Sequence, residues 1–152
     1  MPFALQARRV AMRCAYAGLR TYYFVRRPEI VGVKCVVTHG DDVLLVRHTY
    51  GRRDWDLPGG WVRRRELPLE AARREMHEEL GREIDDWDAL GELSVRADHH
   101  RDNLHLFRAR LPDRSLDIDL TELAEADWFP QNALPGEVAR YVHPIMARVR
   151  RS

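Results

Sequence analysis

The sequence predicts an α/β or α+β domain built on a mixed β-sheet. Short apolar runs with strand character and stretches with helical spacing follow one another along a single chain, which is the pattern of helices packed on a sheet. The chain has 152 residues, of which 45% are apolar and 32% charged. That suits one compact domain able to bury roughly two-thirds of its unfolded surface without a disulfide scaffold. Turn residues punctuate the runs where a hairpin and two helix ends are needed.

The elements follow in order. Phe3 to Val25 contains no proline and only Gly18 as glycine, and its alanines and arginines favour helix. Leu5, Met12, Ala15 and Leu19 keep near-helical spacing, and Pro28 ends the helix near Arg27. Ile30 to Val37 reads as a largely buried strand, His39 to Asp42 as a turn, and Val43 to Arg47 as a second strand, together a hairpin. Tyr50 to Asp54 is a polar loop, and Trp55 to Val62 a tight turn around Gly59 and Gly60. A helix runs from Pro68 to Leu80, with proline in its first turn and Gly81 at its exit. Leu90 to Val95, Leu104 to Leu111 and Ala126 to Phe129 are strand-like, and Gly136 to Arg150 is a last helix perturbed at Pro144.

Charge and cysteine content exclude several classes. The formal net charge of +1 lacks the strong basicity of a nucleic-acid binder, so no stable nucleic-acid partner is expected. Cys14 and Cys35 are too few for a disulfide framework or a four-cysteine zinc site, and a reducing cytoplasm is the default location. No stretch approaches eighteen uninterrupted apolar residues, which excludes a membrane-spanning helix. The charge is uneven, however. The first acidic residue is Glu29, preceded by Arg8, Arg9, Arg13, Arg20, Arg26 and Arg27. Residues 1–28 thus form a basic amphipathic helical segment ahead of a mixed-charge domain of residues 29–152. The favoured reading is a helix packed on its own domain or on a second subunit, with a homodimer through this helix as a working hypothesis. Contact with an anionic membrane surface is a less favoured alternative. A cleaved targeting segment fits less well still, because serines are absent and arginines interrupt any apolar core.

Chemistry concentrates on the helix from Pro68 to Leu80. Leu69, Ala72, Met76 and Leu80 form an apolar stripe, while Glu75, Glu78 and Glu79 share an adjacent face. Clustered carboxylates supply the oxygen ligands and negative charge that a hard divalent cation requires; on most glutamate-rich helices such a face is simply solvated. The upstream context decides between these. Gly60, five residues, Glu66, seven residues, and then Arg74-Glu75-Met76-His77-Glu78-Glu79-Leu80-Gly81 fill all seven fixed positions of a long signature, the Nudix box. Met76 meets its first aliphatic requirement; Arg82 stands where the last is expected, with Ile84 two residues later able to supply the apolar contact. Leu57-Pro58-Gly59-Gly60, Trp128-Phe129-Pro130 and Leu134-Pro135 also resemble the family's lead-in and closing segments. From about Ile30 to Ala147 the chain therefore resembles the Nudix hydrolases, and its N-terminal helix lies outside the resemblance.

The resemblance implies a Nudix-type α/β/α sandwich with a mixed sheet, plus an extra N-terminal helix. It implies a divalent-metal-dependent pyrophosphohydrolase that cleaves the diphosphate linkage of a nucleoside diphosphate joined to another group. By the same resemblance, Gly59 (through its carbonyl), Glu75, Glu78 and Glu79 would be metal ligands, for Mg2+ or, as a substitute, Mn2+. Gly60, Glu66, Arg74 and Gly81 would be structural, with Glu66 and Arg74 paired. Glu78, Glu79 and Glu125 are the catalytic candidates, Glu125 being chosen from the acidic stretch Asp117, Asp119, Glu122, Glu125 and Asp127. Arg52, Arg53 and Arg63, with Arg64 and Arg65, flank the glycine turn and could clamp a pyrophosphate. Trp55 and Trp61 could stack on a base, although core packing is the safer expectation. His99, His100 and His105 have no metal-site spacing. A catalytically divergent nucleotide-sensing module is the alternative function. Family signatures for substrate do not nominate one. The proline expected some fifteen residues after the box in ADP-ribose hydrolases is missing, since the first later one is Pro112. His100 replaces the tyrosine common in dinucleoside polyphosphate hydrolases, and no coenzyme A hydrolase extension is recognisable.

Overall fold

The computed structural model describes residues 2–26, 29–97 and 100–151. The elements are α1 (Pro2–Arg26), β1 (Glu29–His39), β2 (Asp42–His48), α2 (Pro68–Leu80), β3 (Asp88–Ala97), β4 (His100–Arg110), β5 (Leu123–Pro130) and α3 (Val142–Val149). The five strands form one sheet in the order β3-β4-β1-β2-β5. β1 and β4 run parallel and the other neighbours antiparallel, so the sheet is mixed.

Period-two alternation on the central strands builds two cores. Val33, Cys35 and Val37 of β1, with Leu44 and Val46 of β2, face Ala71, Ala72, Met76 and Leu80 of α2. Val36 of β1, with Val43 and Leu45 of β2 and Leu104 and Leu106 of β4, faces Val142, Ile145, Met146 and Val149 of α3. The result is a sheet sandwiched between α2 and α3. Ile84 joins the α2 side of the core, whereas Arg82 turns outward to Asp113. On α2, Leu69 is only half-buried and Ala71 takes its place in the stripe.

The last helix starts later than its sequence periodicity indicates, at Val142 rather than near Gly136. Starting there places Pro144 in the first turn, where a missing N–H has no helical partner to lose. The preceding residues are instead drawn to Trp55, whose N–H donates to the Glu137 carbonyl and whose carbonyl accepts from Ala139 N, both at 2.8 Å. On α1 the half-buried residues are Leu5, Arg9, Met12, Tyr16 and Leu19, with Tyr16 in the place expected for the exposed Ala15.

The β1–β2 hairpin pairs only at Thr38 with Val43 and His39 with Asp42, and the strands then splay apart. Residues 56–62 enter the gap. Asp56 exchanges two hydrogen bonds with Val46 of β2, at 2.8 and 2.9 Å. On the other side, Val33 N donates to the Gly60 carbonyl, Cys35 N to the Pro58 carbonyl, and Val62 N to the Val31 carbonyl, at 2.8, 2.9 and 3.0 Å. Gly59 lies in the middle at φ +144°, and a Cβ there would collide with the Val33 carbonyl. Substituting Gly59 with alanine is therefore expected to destabilise the fold by about 1–3 kcal/mol or more. Gly18, exposed in mid-helix with no atom within 4 Å of an added Cβ, is the opposite case. Gly18→Ala should raise the protection of α1 amides about two- to fivefold, the equivalent of roughly 0.5–1 kcal/mol. Thermal melts and hydrogen exchange of the two variants check both signs.

Candidate functional site

Helix α2 carries its glutamates against the glycine turn. Proline at its start and Gly81 at its end, in the left-handed conformation at φ 63°, delimit it. Glu70 caps the first turn by accepting from Leu67 N at 2.9 Å. Glu75 and Glu79, one turn apart, both point inward and are 9% and 2% exposed. A Cβ on Gly60 would run into the Glu75 carboxylate, so that residue packs directly on the turn. Glu79 accepts a hydrogen bond from Gly59 N at 3.2 Å.

Arg74 organises the outer half of the cluster. Its Nε and Nη2 grip both oxygens of Glu66 at 2.7 and 3.0 Å, and Nη2 also reaches the Trp61 carbonyl at 2.9 Å. Its Nη1 bridges Glu75 at 2.6 Å and Glu78 at 3.1 Å. Glu66 in turn accepts from Arg63 N at 2.7 Å. The Arg74 hydrogen bonds hold the Glu66 carboxyl down at about 2. Glu78 is on the exposed side and is shared by Arg74 and Arg63, whose Nη2 lies 3.2 Å away.

Glu79 has a different environment. Among the described residues it forms no ion pair, and burial pushes its carboxyl up to about 8 despite the field of Lys34. Burial likewise raises Glu75, with Arg74 opposing. Lys34, the only lysine in the chain, donates to Asp56 at 2.8 Å and to the Leu57 carbonyl at 3.0 Å, and the Tyr141 hydroxyl also donates to Asp56. Burial by itself would lower the Lys34 ammonium; Asp56, with Tyr141 and Glu79 adding to it, more than offsets this and holds it above its ordinary range. Sequence spacing did not reveal this buried trio, drawn from three distant segments. The one signal was a single lysine within an apolar strand.

The segment after β4 closes the site. Asp117 N donates to the Leu80 carbonyl at 2.9 Å and Asp119 N to the Glu79 carbonyl at 3.0 Å, which pins the acidic loop to the end of α2. Thr49 N holds the Glu122 carbonyl at 2.8 Å. Glu122 is consequently the carboxylate of this stretch that enters the field of the helix glutamates: burial raises its carboxyl, and Glu75 adds to the effect. Glu125, three residues on, lies on β5 opposite Arg47, with which it pairs at 3.4 Å.

The remaining candidates are dispersed. Arg52 pairs with Asp54 at 3.2 Å, and Arg53, Arg64 and Arg65 are exposed. Trp55 is buried, with the Arg47 guanidinium over its ring at 4.5 Å and Phe129 meeting it edge-on at 4.8 Å, whereas Trp61 is 51% exposed beside the glycine turn. His105 pairs with Glu92 at 3.3 Å; His99 and the His100 side chain lie outside the described residues.

Among the described residues no three carboxylates, histidines or cysteines already converge on one point. The donor set nonetheless fits a divalent cation. A nearly fully buried carboxylate without a counter-ion, a second buried carboxylate one turn away and a glycine turn against both are an environment that a hard cation would stabilise.

The chain matches the model of the NUDIX domain over residues 28–150. It is 31% identical over 110 residues to the ADP-ribose pyrophosphatase of Mycobacterium tuberculosis, an alignment covering 70% of this chain; the chain spans about half, 52%, of that relative. Among solved structures, the fold is similar to a MutT NUDIX hydrolase from Burkholderia pseudomallei, with TM-score 0.74, 21% identity and coverage of 80% of this chain and 98% of that one. It is also similar to the NUDIX domain of Shewanella oneidensis NrtR complexed with ADP ribose, with TM-score 0.71, 16% identity and coverage of 86% and 96%. With a family match over most of its length, a sheet sandwiched between helices and the glutamate helix set against its glycine turn, this chain belongs to the NUDIX family.

Proposed function

We propose that this protein is a divalent-cation-dependent pyrophosphohydrolase acting on a nucleoside diphosphate joined to another group. The observation that carries the reading is the Glu75–Glu79 pair, buried against the Gly59–Gly60 turn, with no ion pair to Glu79 among the described residues. Glu75, Glu79 and the Gly59 carbonyl would hold the cation, with Glu78 at its open side. Mg2+ suits an all-oxygen site that keeps waters, and Mn2+ can substitute. When bound, the cation would neutralise phosphate charge and activate a water for in-line attack on phosphorus.

The protein's own groups divide the remaining work. Glu66 and Arg74 lock the loop to the helix and keep Glu75 oriented. Glu122, carried by a loop tied to the Glu79 carbonyl through Asp119, would accept the proton of the attacking water, a role its raised carboxyl supports. Glu78 and Glu125 are the alternatives, both held by arginines. Arg52, Arg53 and Arg63 remain candidates for contacts with the outer phosphate. ADP-ribose heads the list of substrates because a relative at 31% identity is named for that activity. The missing post-box proline weighs against it, so nucleotide sugars and nucleoside triphosphates belong on the same panel. Two cysteines, Cys14 exposed and Cys35 buried, both unpaired, suit a cytoplasmic setting.

Product release across that panel, with Mg2+ and with chelator, tests the reading. Hydrolysis of at least one member is expected to vanish with chelator. Glu79→Gln should lower kcat by about 10²-fold or more, Glu122→Gln by about 10²–10⁴-fold, and Glu125→Gln within about twofold. Binding of ADP-ribose without turnover by the metal-loaded protein would instead assign a sensing role.

The buried glutamate also predicts a pH dependence. Glu79 is raised from 4.5 to about 8 in the fold, so its ionisation disfavours the folded state as pH rises through that interval. His48, buried and held at about 4, adds stability that is complete above its ordinary 6.5. The interval from pH 6.5 to 8 therefore excludes the histidine and leaves the raised carboxylates, Glu79 foremost, with Glu75 and Glu122 raised in the same direction. In chelator, stability should fall across it by on the order of 1–2 kcal/mol, or roughly 2–8 °C in Tm. Glu79→Gln should flatten that slope, and Mg2+ should restore the wild-type Tm at pH 8.

A further inference from the structure

Helix α1 precedes the glutamate site in the chain and lies outside the pattern that identified it, yet it docks on the site's rim. Arg9 Nε donates to the Leu120 carbonyl at 2.9 Å, and Arg13 Nε to the Thr49 carbonyl at 3.2 Å. The Tyr16 ring rests on Tyr50 with centroids 5.5 Å apart, and it crowds Gly51, where an added Cβ would come within 3.0 Å of the ring. The two segments touched, 49–51 and 120, are the ones that position Glu122. Thr49 N holds the Glu122 carbonyl, and Thr49 Oγ1 donates to the Thr121 carbonyl, each at 2.8 Å. The Tyr50 phenol is pushed upward by burial and then by the charges of Glu122 and Glu79.

The charge of α1 is one-sided. It contains no acidic residue, and among the described residues Arg9 and Arg13 form no ion pair. By contrast Arg74, Arg63, Lys34 and Arg47, around the same site, are each taken up by a carboxylate. Four residues apart, Arg9 and Arg13 share one helix face. With Nε committed to a backbone carbonyl, each guanidinium is oriented, and its two terminal nitrogens, which meet no hydrogen-bond partner among the described residues, suit planar, bidentate contact with an oxyanion.

We propose that α1 forms one wall of the substrate cleft, and that Arg9 and Arg13 bind the phosphate that is not attacked. The inference deepens the pyrophosphohydrolase reading and takes its substrate class from it. The two carbonyl anchors set the position of the cations relative to Glu122, and the aromatic pair Tyr16–Tyr50 holds the helix at that distance.

The test uses the full-length chain with Arg9→Gln/Arg13→Gln and, separately, Arg9→Lys/Arg13→Lys, each checked for unchanged helical content by circular dichroism. Calorimetry with inorganic pyrophosphate and Mg2+ is expected to show Kd raised roughly tenfold or more in the glutamine pair. The lysine pair, which keeps charge but not the fork, should recover part of the loss. On ADP-ribose, KM should rise in parallel while kcat changes by less than about threefold, and the rise should be steeper for a nucleoside triphosphate. An unchanged Kd for pyrophosphate overturns the proposal. So does a fall in kcat with KM unmoved, because that pattern means the helix merely props the Glu122 loop. Failure of the parent reading looks different: wild-type protein would turn over no panel member, while the pyrophosphate Kd would still shift between wild type and the glutamine pair.

Discussion

A carboxylate buried in the wall of a hydrophobic core is the constraint to which the rest of this structure answers. Glu79 leaves α2 between Met76 and Leu80, two residues of the core itself, and is nearly as enclosed as they are. Burial with no ion pair among the described residues disfavours its charged form strongly, and the raised pKa expresses that cost. The fold accommodates it with the Gly59 amide and the field of Lys34 from the central strand. Both depend on the same local device. The β1–β2 hairpin must splay after its first two pairs to admit the glycine turn, and the turn must be glycine because β1 carbonyls and helix carboxylates approach it from either side.

Around that buried centre the charges are layered. Lys34, Asp56 and Tyr141 form a buried polar network beneath the turn, on the side of the sheet covered by α3, and the second Asp56 oxygen has no partner among the described residues. Arg74, Glu66 and Glu78 form a second network at the surface, linking the box loop to the helix. Glu75 sits between them, buried like Glu79 yet paired like Glu78. One helix thereby displays three glutamates in three electrostatic environments, the condition under which neighbouring carboxylates can take different roles.

The loops complete the arrangement through backbone hydrogen bonds rather than apolar packing. The acidic segment is tied to the last carbonyls of α2, and its end to Thr49, so Glu122 is positioned by main-chain geometry. Helix α1 adds two guanidinium–carbonyl contacts and one aromatic pair to these same segments, and none of its described residues is fully buried. A docking surface of that kind specifies position with little apolar area, and it directs the most basic part of the chain toward its most acidic part.

The mixed fold class, the bounds of α2 and the hairpin were legible in the sequence because each is encoded locally: a 3.6-residue apolar period, proline at a helix start, glycine at its end, and turn residues between β-branched runs. The family was legible because its signature depends on spacing along one loop and one helix. Residues whose significance comes from distant segments were not. The order of the strands, the Lys34–Asp56–Tyr141 network and the docking of α1 join positions far apart in the chain, and no periodicity records them. The choice between Glu122 and Glu125 as neighbour of the helix glutamates was of the same kind. Both are acidic and three residues apart; the backbone hydrogen bonds to α2 and to Thr49 hold the loop that carries Glu122, whereas Glu125 lies on β5 beside Arg47. The sequence by itself determined which helix carries the carboxylates. The tertiary structure decided which of them are stripped of water, because desolvation is a property of everything packed around a group and not of its neighbours in the chain.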